Sequence, residues 1–269
     1  MAYLEVSEIL NLDTIQHPII GLASDMEHHD SGFHAHEGYA QLLFAPSGCM
    51  TLWTNDKRIL LPPSRMLYIP QGLSHKVTLR NIVAYRSMYF RINAIEQELP
   101  TDLQVMTVNP LLKQLIERIC WWNWNCKLSL EQENLIKVFW DEWKNSKLER
   151  YDLILPHDKR LHKQVESFVA NDKALPFLNV FAKGVGASEK TVSRIFKKET
   201  GLNYQDWRMQ WKFYRAIELL IEKNSITDIT IWLDFSSESA FVDFFKKHSG
   251  TTPLKYTELF NDSINNQEI

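Results

Sequence analysis

Three histidines and one glutamine form the first group of residues whose types and spacing could do chemistry. His34 and His36 lie two positions apart, Gln41 follows shortly after them, and His75 lies much further along the chain. On a β-strand, side chains at positions i and i+2 point to the same face. If neighbouring strands bring Gln41 and His75 to that face, the four side chains form a cluster of nitrogen and oxygen donors that suits a divalent transition metal.

Three interpretations of this cluster stay open. The four side chains could bind a metal ion, they could line a pocket for a small effector without a metal, or they could be hydrogen-bonded residues of a barrel interior. Gln41 is a weaker partner for a cation than Glu because an amide carries no charge. Trp53 and Tyr68 are predicted to add an apolar wall to an effector pocket, although large aromatic residues usually belong to the core.

A repeated segment near the end of the chain forms the second group. Residues 188–201 read SEKTVSRIFKKETG and residues 237–250 read SESAFVDFFKKHSG, so that six of the fourteen positions agree. In each copy, apolar residues recur at helical spacing, a Ser stands where a helix would begin and a Gly where it would end. Each copy is therefore predicted to be one short amphipathic helix with a Lys-Lys end.

A second helical pattern precedes each copy across a short turn, at residues 186–188 and 234–236. Helix, short turn and second helix is the plan of a helix-turn-helix, whose second helix enters the major groove of DNA. Arg194 is the best candidate for a base contact, and the less cationic second copy is expected to contact mainly phosphates. The predicted DNA-binding residues are Ser188, Glu189, Lys190, Thr191, Ser193, Arg194 and Lys197 in the first copy and Ser237, Glu238, Ser239, Lys246 and Lys247 in the second.

The stretch between the two copies, residues 204–222, has a continuous helical pattern. About twenty residues at ~1.5 Å per residue give roughly 30 Å, close to the ~34 Å between successive turns of one face of B-DNA. A helix of this length could hold two reading helices in adjacent major grooves.

The elements that must position the histidines lie earlier in the chain. Residues 33–93 contain strand-length runs separated by turn signals, and their even spacing predicts a small barrel or sandwich. After Pro110 the period becomes helical, and two Trp-rich helices over about 111–119 and 130–143 are either a private core or a surface for a partner. This helix pair is the candidate dimer interface. The predicted strands are 41–44, 50–54, 58–61, 65–69, 76–79 and 85–91.

Composition and charge set limits on function. With 45 % hydrophobic and 23 % charged residues, the 269-residue chain is globular rather than disordered. A net charge of −3 argues weakly against nucleic acid, but residues 1–156 hold 14 Lys or Arg against 18 Asp or Glu, whereas residues 157–258 hold 16 against 13. The basic excess therefore lies in the part that carries the repeats. The absence of a signal peptide and of a long apolar run predicts a cytoplasmic protein.

Residues 160–257 resemble the DNA-binding domain of AraC/XylS-type transcription factors. The resemblance rests on the run 188–201, on Ser239, Phe241 and Phe245, and on the stretch 250–256. It implies a transcription factor with two helix-turn-helix units on one linking helix. Two positions depart from the family pattern, because Thr230 stands where Ala is usual and Asp234 where Gly is usual. A somewhat strained turn is therefore expected at Asp234.

Residues 33–91 resemble the cupins through His34, His36, Gln41 and Gly48 and the segment 70–75, with Ser64 at a position where Gly is expected. A cupin joined to an AraC-type domain is similar to the small-molecule-responsive branch of that family, and two segments resemble a subgroup that includes a nitroimidazole-resistance regulator. The predicted fold class is α+β. A cupin-like β-barrel (1–105) and a helical arm (106–156) precede an all-α domain (157–258) and a tail (259–269).

The resemblance implies an effector-responsive regulator of transcription that reads operator DNA with two helix-turn-helix units. Expected partners are double-stranded DNA, a small-molecule effector, a second copy of the chain and RNA polymerase; no catalytic residue is predicted, and a divalent metal in the barrel is the one candidate cofactor. Effector binding in the barrel would change operator affinity. The alternative is a metal-dependent cupin enzyme, an oxygenase or isomerase, with an accessory helical domain.

Overall fold

The structure is a computed structural model that describes residue 15 and residues 17–80, 82–123, 127–170 and 174–261. The chain forms two compact units, of which the first contains residues 1–52 and 61–151 and the second contains residues 53–60 and 152–269. The predicted domain boundaries stay predictions, and residues 262–269 of the predicted tail lie outside the described residues. No helix among the described residues is long and apolar enough to span a membrane.

The first unit is built on an antiparallel sheet of six strands in the order β1-β7-β2-β5-β8-β9. In the register of this sheet, Gln41 on β2 lies opposite Ile69 on β5 and Tyr89 on β7. The strands along the whole chain are β1 (Ile19–Met26), β2 (Tyr39–Phe44), β3 (Met50–Trp53), β4 (Lys57–Leu61), β5 (Arg65–Ile69), β6 (Lys76–Leu79), β7 (Val83–Arg91), β8 (Gln104–Thr107), β9 (Leu148–Glu149) and β10 (Asp152–Ile154).

All six predicted strands are present, and their bounds differ from the prediction by at most two residues. The strands β1, β8, β9 and β10 were not predicted. β1 pairs with β7 along its whole length, from Ile19 opposite Phe90 to Met26 opposite Val83. Its sequence, IIGLASDM, contains Gly and Asp, which are depleted in strands, so that its pairing partner rather than its composition makes it a strand.

Two helices of the first unit, α1 (Pro110–Cys120) and α2 (Leu130–Lys144), cover one face of this sheet. The side chain of Asn109 caps α1, and Ser129 and Gln132 form a capping box at the start of α2. α1 packs directly on β1 at Gly21, where an added Cβ would lie 2.8 Å from the Cα of Cys120. This close approach requires glycine.

The aromatic residues of α2 form a private core rather than an exposed surface. Phe139, Trp140 and Trp143 are buried, and their rings lie 6.2, 5.3 and 5.6 Å from the ring of Phe90 on β7. Trp124 lies outside the described residues. Burial of large rings between helix and sheet contributes much of the stability of such a layer.

The second unit is mainly helical and contains the predicted repeats. Aromatic residues fill its core, with Phe196 and Tyr204 packed 5.1 Å apart at one end of α6, and Phe213 and Phe245 packed 5.5 Å apart further along it. Its helices are α3 (Lys159–Ala170), α4 (Leu178–Gly184), α5 (Glu189–Thr200), α6 (Tyr204–Ile221), α7 (Ile226–Trp232), α8 (Glu238–Ser249) and α9 (Pro253–Asn261).

A short segment from earlier in the chain, residues 53–60, also packs in this second unit. Its strand β4 pairs with β10, and a buried ion pair joins Arg58 to Glu218 on α6 at 2.5 Å. The indole of Trp207 donates to the backbone carbonyl of Ile154 at 2.6 Å. The linking helix α6 is therefore held both by the helix-turn-helix units and by these two strands.

Candidate functional site

The three predicted histidines form one cluster in the first unit. A β-bridge with two backbone hydrogen bonds of 2.9 Å places His34 directly opposite His75, and His36 follows His34 on the same side. The ring centroids lie 4.4 Å (34–75), 4.9 Å (34–36) and 5.5 Å (36–75) apart. One ligand nitrogen from each ring lies within 4.8 Å of the other two, which is the only such cluster of potential metal ligands in the described part of the chain.

Backbone carbonyl groups set the tautomers of two of these rings. Nδ1 of His34 lies 3.0 Å from the carbonyl oxygen of Gly32, and Nδ1 of His75 lies 2.8 Å from that of Leu73. Each Nδ1 therefore carries the proton, and in a neutral ring the lone pair is on Nε2. Metal-binding histidines are commonly oriented by a hydrogen bond of this kind on the other ring nitrogen.

His36 completes the cluster with a buried ring nitrogen. Its Nε2 has no hydrogen-bond partner among the described residues. Burial, followed by the neighbouring rings of His34 and His75, lowers the pKa of His36 to about 4. Burial also lowers the pKa of His75. His36 and His75 are therefore neutral near neutral pH, and neutral imidazole is the form that binds metals.

Gln41 reaches the cluster from β2, as predicted. Its Oε1 lies 3.1 Å from Nε2 of His75, and its Nε2 donates to the hydroxyl groups of Ser87 (2.9 Å) and Tyr89 (3.1 Å) on β7, with the hydroxyl of Tyr85 at 3.5 Å. With Nδ1 of His75 already donating, two lone pairs face each other across 3.1 Å. A cation beside them or a rotation of the amide by a half-turn removes that repulsion.

Sequence reasoning missed the three hydroxyl groups that hold Gln41. Tyr85, Ser87 and Tyr89 alternate along β7, so that all three point to the face on which Gln41 lies. Burial raises the pKa values of Tyr85 and Tyr89, which keeps both hydroxyl groups protonated. Their i, i+2, i+4 spacing was the available signal, but only the strand register shows that Gln41 lies opposite them.

The structure does not bring Tyr68 to this cluster, contrary to the predicted pocket wall. Tyr68 lies opposite Leu42, one residue beyond Gln41, and therefore faces the other side of the sheet, where its ring contacts Trp143 and its hydroxyl donates to the carbonyl of Pro100. Trp53 belongs to the second unit, where the guanidinium of Arg58 lies 5.6 Å from its ring centroid, and its place in the pocket wall stays a prediction. Ser64 has φ of +65°, a conformation that favours the glycine expected there.

The first helix-turn-helix consists of α4 and α5, joined by a tight turn. Gly186 has φ of +66°, and the amide of Ala187 donates to the carbonyl of Ala182 at 3.0 Å, which closes the end of α4. Val192 and Phe196 lie on the buried face of α5. Glu189, Lys190, Arg194 and Lys197 are exposed, while Thr191 and Ser193 are half-buried. Arg194 forms no ion pair with any residue that the structure describes.

The second helix-turn-helix consists of α7 and α8 and has the same plan. Asp234 has φ of +54°, and the amide of Phe235 donates to the carbonyl of Thr230 at 3.0 Å. This conformation is the strained turn that the sequence predicted. Thr230, the other departure from the family pattern, satisfies its buried hydroxyl by donating to the carbonyl of Ile226 at 2.7 Å. Both departures are therefore accommodated without a change of fold.

Some predicted DNA-binding side chains already have a partner within the second unit. The hydroxyl groups of Ser188 and Ser237 accept from the amides of Thr191 and Ala240 and so cap α5 and α8. Glu238 accepts a hydrogen bond from Thr227, and Lys197 donates to the carbonyl of Gly201 at 2.9 Å. Ser239, Lys246 and Lys247 are exposed. The predicted DNA contacts of all twelve residues stay predictions.

Comparison with known proteins agrees with both halves of this description. The model of the AraC-like ligand binding domain matches residues 17–134, and the model of a helix-turn-helix domain matches residues 181–258. The chain is 24 % identical to the HTH-type transcriptional regulator NimR of Escherichia coli over 216 residues, which cover 80 % of this chain and 78 % of that one. It is 35 % identical to the probable transcription factor PqrA of Proteus vulgaris over 82 residues, 30 % of this chain and 67 % of that one.

A cupin-like ligand-binding domain that precedes two helix-turn-helix units defines a class of protein, the effector-responsive regulators of transcription that bind DNA. The chain belongs to the AraC family of transcriptional regulators. The predicted fold class and the predicted function are thereby confirmed.

Proposed function

We propose that this regulator responds to a divalent transition metal ion, which His34, His36, His75 and Gln41 hold in the cupin-like domain. The observation that carries the proposal is the orientation of the rings, because His34 and His75 donate from Nδ1 to backbone carbonyls and keep Nε2 available for a ligand. The unpartnered Nε2 of His36 and the lone pair of Gln41 Oε1 fit the same ion.

Three imidazoles and one amide suit Zn²⁺, Ni²⁺, Co²⁺ or Fe²⁺ better than Mg²⁺ or Ca²⁺, which prefer several oxygen ligands. None of the four groups carries a negative charge, so a bound ion would keep its full positive charge. Such an ion attracts an anionic ligand, which links the metal to a small-molecule effector at the same place. The metal and the small effector are then two parts of one signal rather than rival interpretations.

The test is a titration of the chelator-treated protein with Co²⁺, Ni²⁺ and Zn²⁺, followed by calorimetry and by the absorption bands of bound Co²⁺. We expect one equivalent to bind and to raise the melting temperature of the first unit. His36→Ala should abolish binding at micromolar metal, whereas His28→Asn, a change at an exposed histidine with φ of +47° outside the cluster, should not. No binding and no change in melting temperature with any of these metals would falsify the proposal.

Gln41→Glu sharpens the same test because it changes charge and leaves the geometry in place. A carboxylate compensates the charge of the ion, so we expect metal affinity to rise by about tenfold or more. If the cluster is instead a metal-free pocket, the wild-type protein should bind none of the metals and only Gln41→Glu should bind one, because the added carboxylate can complete a site that the amide does not. A gel-shift titration of promoter DNA with and without the metal then shows whether the bound ion alters operator affinity. The same titration tests the alternative of a cupin enzyme with an accessory domain. Such an enzyme should bind DNA specifically neither with nor without the metal.

We further propose that the regulator acts as a homodimer through the outer face of α2. Leu130 and Val138 are exposed on this face although both are apolar, and Leu111 on α1 is exposed as well. Val138→Glu should shift the sedimentation coefficient from that of a dimer to that of a monomer, with Val138→Ala as the matched control. Monomeric wild-type protein at micromolar concentration, with and without DNA, would exclude the dimer. Contact with RNA polymerase stays a prediction of the family resemblance.

A further inference from the structure

A buried arginine on the linking helix contacts both helix-turn-helix units. Arg208 on α6 is only 3 % exposed. Its Nε donates to the backbone carbonyl of Leu175 at 2.6 Å, and its guanidinium carbon lies 4.6 Å from the ring centroid of Phe177. Phe177 is the residue from which α4 begins, so these contacts tie Arg208 to the entry of the first helix-turn-helix.

The other side of the same guanidinium faces the turn of the second helix-turn-helix. Its Nη2 lies 3.6 Å from the carboxylate of Asp234, the residue with φ of +54° between α7 and α8. One helical turn further along α6, the ammonium group of Lys212 donates to the backbone carbonyl of Asp234 at 3.1 Å. Two cations of α6 therefore hold one residue of the turn by its side chain and by its backbone.

The contact continues from the turn into the second recognition helix. The ammonium group of Lys212 lies 4.6 Å from the ring centroid of Phe235, and that ring lies 5.5 and 4.9 Å from Phe241 and Phe244 on α8. A displacement of Asp234 would therefore move Phe235 and, with it, the start of α8. The polar atoms of Arg208 connect the entry of α4 to this turn through a hydrogen bond and an ion pair.

Burial of these two cations costs free energy, so a purely structural role does not account for them well. Two neighbouring cations with little exposure lose hydration, and burial together with Arg208 lowers the pKa of Lys212 to about 8. Apolar residues at such positions often stabilise a fold as well or better. What directional hydrogen bonds and charges add is one defined geometry, since a guanidinium fork accepts few orientations of its partners.

We infer that Arg208 is a positioning residue for DNA reading, which fixes the second recognition helix α8 relative to the first, α5, through Leu175 and Asp234. Arg208 is buried and does not itself contact DNA. Its effect is on the spacing between the two base sequences that α5 and α8 read. One base pair of added spacing moves the second sequence by about 3.4 Å and rotates it by roughly 35°, so a rigid pair of reading helices tolerates it poorly. This inference requires DNA binding by both helix-turn-helix units and is independent of the metal proposal.

The experiment begins with selection of duplexes from a random-sequence DNA library by the wild-type protein. The first subsite is the base sequence that α5 reads, and the second subsite is the one that α8 reads. Binding is then measured for the selected duplex and for the same duplex with the second subsite scrambled. It is also measured for duplexes in which one base pair is inserted or removed between the two subsites. Arg208→Met and Asp234→Asn are the test variants. Asp234→Asn keeps a side chain that tolerates positive φ, and because Asp234 is 63 % exposed it should fold even if Arg208→Met does not. Arg160→Met removes an exposed cation on α3 and is the matched control.

We expect both test variants to lose about tenfold in affinity for the full duplex, which corresponds to about 1.4 kcal/mol, and to bind the duplex with the scrambled second subsite like the wild type. We also expect the preference for the original spacing to weaken in both, while Arg160→Met keeps it. The double variant should lose no more than either single variant, because the two residues act through one contact. An unchanged spacing preference in Asp234→Asn, an equal loss on both duplexes, or a wild-type motif with a single subsite overturns the inference.

Discussion

The two helix-turn-helix units share their supporting structure and differ in the residues that they expose. In both, a Ser hydroxyl caps the recognition helix, and a hydroxyl near its end, from Thr200 or Ser249, donates to the carbonyl four residues earlier. Both helices end at a glycine with φ of +78°, Gly201 and Gly250. The supporting contacts of one unit are therefore repeated almost atom for atom in the other.

The exposed faces of the two recognition helices carry different charges. Alignment of the repeats places Asp243 on α8 at the position of Arg194 on α5, and Ser239 at the position of Lys190. An arginine can donate two hydrogen bonds to guanine, whereas a carboxylate repels phosphates and can accept only from cytosine or adenine amino groups. Repetition of a scaffold thus does not imply repetition of its reading function, because different residues carry the two roles.

The turns differ in how their positive φ is supported. Gly186 in the first turn has no Cβ and needs no support, and a Cβ placed there would meet no atom within 4 Å. Asp234 in the second turn has a Cβ and is held by Lys212 and Arg208 on α6. The turn of the second helix-turn-helix therefore depends on contacts with the linking helix α6 that the glycine of the first turn does not require.

Loss of a buried ring tests whether the two supporting structures are equivalent. Phe196→Ala and Phe245→Ala should each lower the free energy of unfolding of the second unit by about 3–5 kcal/mol, because each removes a fully buried ring from the aromatic core. Denaturant unfolding followed by hydrogen exchange of the backbone amides of α6 measures both, because the nine tryptophans of the chain do not report on this helix alone. A loss below about 1 kcal/mol for only one of them would show that the two supports are not equivalent.

Substitution of the aligned reading residues tests the difference in function. Arg194→Ala should weaken operator binding by about 1–3 kcal/mol and relax the base preference at one position of the first subsite. Asp243→Ala should not weaken binding. Gel-shift titrations against single-base variants of the selected duplex provide both measurements, and a uniform loss over all base variants would indicate that Arg194 contacts only phosphate.

Replacement of the glycine in the first turn tests whether a residue with a Cβ needs contacts with α6 to adopt positive φ. Gly186→Ala should destabilise the second compact unit by about 1 kcal/mol, because Ala tolerates positive φ poorly and the contacts of Arg208 and Lys212 on α6 go to Asp234 in the other turn. Gly186→Asn should cost less, because Asn populates this conformation more readily. Thermal unfolding of both variants decides the point, and stability equal to the wild type in Gly186→Ala would remove the contrast between the turns.

Removal of the negative charge from α8 is expected to have the smallest effect. Asp243→Asn should strengthen operator binding by roughly 0.5 kcal/mol at low salt, because an exposed carboxylate near phosphates repels them only weakly through water. The slope of affinity against salt concentration should become slightly steeper. Weaker binding would instead mean that Asp243 accepts a hydrogen bond from a base and that the second helix-turn-helix also reads sequence.

Sequence patterns predicted most of the scaffold correctly because those patterns reflect local periodicity. The strands β5 and β6 have the predicted bounds, and α6 ends one residue earlier than predicted. β1 and β8–β10 were missed because they are strands only in the company of their partners, such as β10 beside β4. Tyr68 was predicted at the wrong face of the sheet, since its direction follows from the pairing of Leu42 with it and not from its own sequence neighbours.

Spacing along the chain was enough to place His34 and His36 on one face and to identify two helix-turn-helix units, since residues a fixed number apart share a face of a strand or helix. Gln41 and His75 were placed beside them by the resemblance to the cupins. The contacts of those residues were decided in three dimensions. The backbone carbonyls that orient the histidines, the hydroxyl groups of β7 that hold Gln41, and the path from Leu175 through Arg208 to Asp234 join residues that are far apart in sequence. Such contacts depend on strand register and helix packing, for which no local pattern in the sequence is a substitute.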